Sequence, residues 1–176
     1  MAFNVRWIYR LEGVVQYRSG MSLPGSCIYR DDKRDGKIRM VIARDGVITI
    51  FPRYSWDGCS PKFSLLDLYI GTPDGAIHAV TGKPKTYYAS LFHDALYQYY
   101  RRGGPYSLKD ADGIFLHIMK KHDFRLRMLY YVAVRLFGAA YLFFINLKRK
   151  NRWRREDVEE IGPEDEGYVT RPFQIP

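Results

Sequence analysis

The rhythm of apolar and polar positions changes near residue 85. Between residues 4 and 52, β-branched and aromatic residues gather in the short runs VVQYR, KIRMVIA and VITIF, set apart by turn residues, which predicts strands. RDG separates the last two runs, and its Asp45-Gly46 step predicts a hairpin turn. Residues 53–85 contain PRYSWDGCSPKFSLLDLYIGTPDG, broken by Gly and Pro. They predict a long irregular loop, of a length that usually carries function. From residue 86 the period becomes helical. One helix is expected from about Thr86 to Tyr100, ending at RRGGP. A second should start at Ser107, with Asp110 completing a weak capping box. A third is expected from about Arg125 to Lys148. The predicted fold class is α+β: a small N-terminal antiparallel sheet (1–52), the long loop (53–85) and a helical body (86–148). These form one domain over residues 1–150, followed by a charged, extended tail over 151–176.

Two helices place ionisable groups among apolar ones. On a wheel of about 100° per residue, Tyr88, Leu91, Phe92, Ala95, Leu96 and Tyr99 share a broad face of the first helix, leaving His93, Asp94, Tyr97 and Gln98 on the remaining arc. In the second helix the stripe Leu108, Ala111, Phe115, Ile118 and Met119 contains Asp112. A carboxylate in such a stripe is costly unless it is paired, and the His93 imidazole on the preceding helix is the nearest donor. An Asp that fixes the ring and tautomer of a His prepares a general base; the same pairing also occurs as a purely structural tie between helices. Asp94, a second carboxylate at the same place, would be relieved by a cation. Calcium is the natural one, with Asp57 and the backbone of YSWDGCSP around Gly58 supplying further oxygens.

Charge and composition narrow the classes. The chain of 176 residues carries a net +9 and is 47% hydrophobic, enough for a real core. Residues 156–176 hold seven acids against one base, Arg171, a net −6, which leaves +15 on residues 1–155. Such a body is drawn to nucleic acid, anionic lipid or an acidic partner, or to its own acidic tail. Two cysteines, Cys27 and Cys59, cannot build a disulfide framework, so a reducing compartment is allowed. MAFNVRWIYRLEG has no apolar core of signal-peptide length, so no secretory export is expected.

The paired helices resemble those of phospholipase A2. His93, Asp94 and Tyr97 stand as in that superfamily's H-D-x-x-Y helix, and Asp112 with Phe115 as in its second helix. HDALYQYYRRGGPYSLKDADGIF is similar in spacing to the disulfide-free phospholipase domains of parvovirus capsid proteins. FPRYSWDGCSP, HDALY, ADGIFLHIM and YYVAVRLFG, within about residues 45–138, further resemble a family of short phage and prophage proteins with a domain of unknown function. The first resemblance implies an antiparallel helix pair and calcium-dependent hydrolysis of an sn-2 ester at a membrane surface. His93 would be the base, Asp112 its orienting acid, Tyr97 a brace, and Asp94, Asp57 and Gly58 the metal loop. WDGCSP departs from the pattern in having one glycine where that loop has more. The second resemblance implies a phage or prophage origin, with the protein in the virion or the host cytoplasm.

Other features keep alternatives open. MLYYVAVRLFGAAYLFFINL (128–147) has the length of a membrane span, but Arg135 in its middle favours a core helix. In KRKNRWRR the bases Lys148, Arg149, Lys150, Arg152, Arg154 and Arg155 surround Trp153. That run suits anionic headgroups or nucleic acid equally, unless the acidic tail neutralises it. His117 and His122 are expected at the surface or a helix cap. A metal phosphohydrolase of the His-Asp type would need an upstream His, for which only His78 offers itself. The second functional class is therefore a non-catalytic virion or accessory protein that binds nucleic acid, membrane or other virion proteins through a basic aromatic surface.

Overall fold

The computed structural model describes residues 9–30, 36–59, 62–65, 68–71, 74–100, 104–148, 158–161 and 173–174. The architecture is α+β, with antiparallel strands first and three helices after them. The chain divides into two compact units. One is drawn from Met1–Trp56, Gln98–Pro105 and Trp153–Pro176, the other from Asp57–Tyr97 and Tyr106–Arg152.

The first unit is built on strands β1 (Tyr9–Arg10), β2 (Val15–Arg18), β3 (Ser26–Arg30), β4 (Ile38–Ile42), β5 (Val47–Ile50) and β6 (Ser55–Trp56). β1 pairs with β6, and the central sheet runs β2-β5-β4-β3, antiparallel throughout. Register decides its core. Val15, Ile50, Met40 and Tyr29 face one another across the strands, as do Tyr17, Ile48 and Ile42, and all seven are buried. Alternation sends Gln16, Thr49, Val41 and Ile28 to the opposite face, where the Gln16 side chain donates to Thr49 Oγ1 at 2.9 Å. A cavity of about 1280 Å³ lies on that face, lined by these residues with Lys37 and Arg44 among others. The expected hairpin turn forms at Asp45-Gly46, with Gly46 at φ +79°.

The tail joins this sheet. β9 (Val158–Ile161) pairs antiparallel with β3, and β10 (Phe173–Gln174) pairs parallel with β2. These described parts of the tail are extended, as expected, but they serve as the two edge strands of a six-stranded sheet.

In the second unit, part of the segment expected to be irregular is a hairpin of β7 (Lys62–Leu65) and β8 (Leu68–Gly71). Ile77 and Pro84 form an isolated bridge beyond it. Helices α1 (Tyr87–Tyr100), α2 (Leu108–Lys121) and α3 (Arg127–Lys148) start within two residues of the expected positions, and α1 and α3 also end where expected. Ser107 caps α2 through a complete capping box: its hydroxyl accepts from Asp110 N–H, and the Asp110 carboxylate accepts from Ser107 N–H at 2.9 Å. α3 differs from the expected core helix. Tyr130 and Val134 are buried, but Met128, Leu129, Val132 and Leu136 stand exposed.

Candidate functional site

The site begins with the Asp112 carboxylate, which is fully buried on α2. Three donors from two other helices converge on it. His93 Nε2 lies 2.9 Å from Oδ1, the Tyr97 hydroxyl donates to Oδ1 at 2.6 Å, and Arg135 Nη1 donates to Oδ2 at 2.9 Å. His93 and Tyr97 are one turn apart on α1, so the helical period itself aims both at one target. One carboxylate thus ties α1, α2 and α3 together through side chains. The imidazole is also wedged between Tyr97 and Phe115, with ring centroids at 4.1 and 5.0 Å.

Burial alone would raise the Asp112 acid. The hydrogen bonds from His93, Tyr97 and Arg135 outweigh it and hold the carboxyl below its ordinary range. An ionised carboxylate only accepts, so His93 Nε2 must carry the hydrogen between them. That fixes the tautomer of the neutral ring and turns Nδ1 toward Asp94, whose Oδ1 lies 3.5 Å away. Burial would likewise depress the imidazole, but the hydrogen bonds to Asp112 and Asp94 leave it raised. Tyr97 is raised by burial and by Asp112.

Asp94 is pushed the other way from Asp112. Burial lifts its acid to about 7; His93 opposes the shift, while Asp57 adds to it by charge and by a hydrogen bond that favours the proton. Asp57 is held by its loop. Gly58 takes φ +81°, a region that side chains disfavour, and Cys59 N–H donates to Asp74 Oδ1 at 2.9 Å. Asp74 O in turn accepts from the Thr86 hydroxyl just before α1. Among the described residues, no group of three His, Cys, Asp or Glu side chains could hold a metal ion. Two neighbouring carboxylates, one of which lifts the acid of the other, nevertheless suit a hard cation in their chemistry, with main-chain oxygens completing the shell.

His93, Asp112, Tyr97, Asp94 and Asp57 therefore lie together. His93 is more deeply buried than its place on the wheel implied, because α1 also buries Tyr87, Ala89 and Ser90. In the sequence, Arg135 stands out only as a charge that argues against a membrane span. Its signal was present: a base inside one apolar helix and an acid inside another are the residues expected to find each other. Gly138, one turn further on α3, has no signal in the sequence that points to the site. A Cβ there would stand 2.5 Å from the Tyr97 hydroxyl, so its lack of a side chain leaves room for that group.

The remaining histidines are elsewhere in use. His122 is the C-cap of α2 and is buried, His78 packs edge-on against it with centroids 5.0 Å apart, and His117 is exposed. Of the basic run, only Lys148, the last residue of α3, is among the described residues; Arg149, Lys150, Arg152, Arg154 and Arg155 lie outside them. No family model, curated protein or solved structure matches the chain.

Proposed function

We propose that the chain is a phospholipase A2-like esterase, of phage or prophage origin, that hydrolyses phospholipid at a membrane surface. The observation that carries this reading is the buried Asp112 carboxylate held by His93, Tyr97 and Arg135. It leaves one imidazole nitrogen directed at a second, electrostatically strained acid. With Nε2–H committed to Asp112, Nδ1 is the basic atom. It would take a proton from a water molecule as that water attacks the ester carbonyl, then return the proton to the departing alcohol. Asp112 stabilises the imidazolium formed between those steps, and Tyr97 and Arg135 keep Asp112 from turning away. Asp94 and Asp57 would hold calcium, whose chemistry here is to polarise the carbonyl and stabilise the developing oxyanion. Because the Asp94 acid sits near 7, holding the cation would release a proton.

The test is release of fatty acid from phospholipid vesicles with calcium and with a chelator. Calcium-dependent release is expected from the natural chain, with losses of about a hundredfold or more in His93→Ala and Asp94→Ala. Asp112→Ala should slow release while sparing calcium affinity. No release, or release indifferent to His93→Ala and Asp94→Ala, would overturn the proposal in favour of a non-catalytic binding protein.

A further inference from the structure

We infer that the outward face of α3 is a docking surface for an anionic lipid bilayer, laid against the surface rather than through it. On a straight helix at about 100° per residue, Arg135, Met128, Val132, Leu136 and Leu129 follow one another over an arc of roughly 120°. Tyr130 and Val134 fall on the opposite side. Exposure follows that geometry. Met128, Leu129, Val132 and Leu136 are 57%, 64%, 48% and 66% exposed, while Tyr130 and Val134 are buried. Single exposed aliphatics are commonplace, but four contiguous ones on one helix face mark an interaction surface.

Charge selects the partner. From Phe124 to Arg155 the chain contains Lys and Arg but no Asp or Glu. Arg125 and Arg135 are exposed, the first beside the start of the arc and the second on its edge. A second copy docking on this face would set two cationic, acid-free segments against one another. Nucleic acid would satisfy the cations but gains little from Leu, Met and Val. Hydrocarbon beneath an anionic headgroup layer satisfies both, as for amphipathic helices that lie in the interface. No helix among the described residues is long and apolar enough to cross a membrane.

The face is also continuous with the site. Arg135, on the arc's edge, is the residue whose guanidinium reaches Asp112 at 2.9 Å while its side chain stays 42% exposed. A bilayer on α3 would therefore lie beside the His93–Asp112 pair. The reaction chemistry in this picture rests on the proposed function; the docking does not, and the two can fail separately.

The experiment is co-sedimentation with sucrose-loaded vesicles in chelator, using the full chain carrying His93→Ala so that lipid is not consumed. Equimolar phosphatidylglycerol–phosphatidylcholine vesicles should bind it at least about tenfold better than phosphatidylcholine alone. Leu129→Glu with Leu136→Glu should weaken that binding by about tenfold or more. Both leucines are exposed, so the melting temperature should hold; if it falls, Leu129→Ser with Leu136→Ser replaces the pair. Unchanged binding in the folded variant, or no preference for anionic vesicles, overturns the inference. So does a dimer in solution that the leucine changes dissolve. Binding without fatty-acid release by the natural chain would remove the esterase reading alone. Release from short-chain monomeric substrate, with the stripe indifferent to vesicles, would remove the docking alone.

Discussion

Two aspartates within one small site are driven in opposite directions. Three donors hold Asp112 ionised despite full burial, while Asp94, with burial and Asp57 against it, keeps its proton to about pH 7. Unfolded, Asp94 loses its proton near 3.8, so the stability that depends on the protonated acid is complete below about pH 4 and is lost as pH rises toward 7. The raised imidazole of His93 works in the same sense, its share being lost as pH rises through the folded value. Asp112 works in the other, its share being lost only as pH falls below the ordinary carboxylate range. In chelator, the melting temperature should therefore fall between about pH 5 and pH 8. Asp94→Asn should flatten that slope and be more stable than the natural chain at the upper end, on the order of 1–3 kcal/mol. A natural-chain melting temperature that climbs across the same range would refute the assignment. The sequence made the Asp112–His93 pair legible because an acid inside an apolar stripe demands a partner. Arg135 is harder to place from sequence because a base within an apolar helix signals a broken membrane span as readily as it signals an acid on another helix.

Helix termini were the easiest elements to read, since their signals are local: a Ser-x-x-Asp box opens α2 and RRGGP follows α1. Strand pairing is non-local and was less legible. β3 draws on SCIYR, which follows the Pro24-Gly25 turn step but is too short and mixed a run to stand out beside the other strands, and β7 and β8 lie in a stretch whose Gly and Pro content suggests irregular chain. The outward face of α3 was obscured because its apolar residues are so numerous that a buried helix fitted the composition as well. Packing between elements supplies a further test at Gly138. Adding a methyl group there should drive the Tyr97 hydroxyl from Asp112, because the new carbon and the oxygen cannot share 2.5 Å. Gly138→Ala should cost about 1–2 kcal/mol in chemical denaturation, and most of that cost should vanish in a Tyr97→Phe background. Additive losses in the double variant would mean that Gly138 matters for another reason.

At the scale of the molecule, the sheet depends on residues far apart in the chain. β9 pairs along the β3 edge and β10 pairs with Val15 and Gln16 on the β2 edge, so each outer side of the central four strands is at least partly covered. Ending the chain after residue 157 should uncover both edges, lower the melting temperature and raise light scattering on standing, since unpaired strands recruit one another. A truncated chain as stable and monodisperse as the full one would show those pairings to be dispensable. Their order of manufacture also has a bearing. β9 and β10 are translated after every other described strand and helix, so a nascent chain carries an open, association-prone sheet throughout synthesis of the helical segment. Chaperone demand should accordingly peak in that interval and subside once the two late strands emerge to seal the rims.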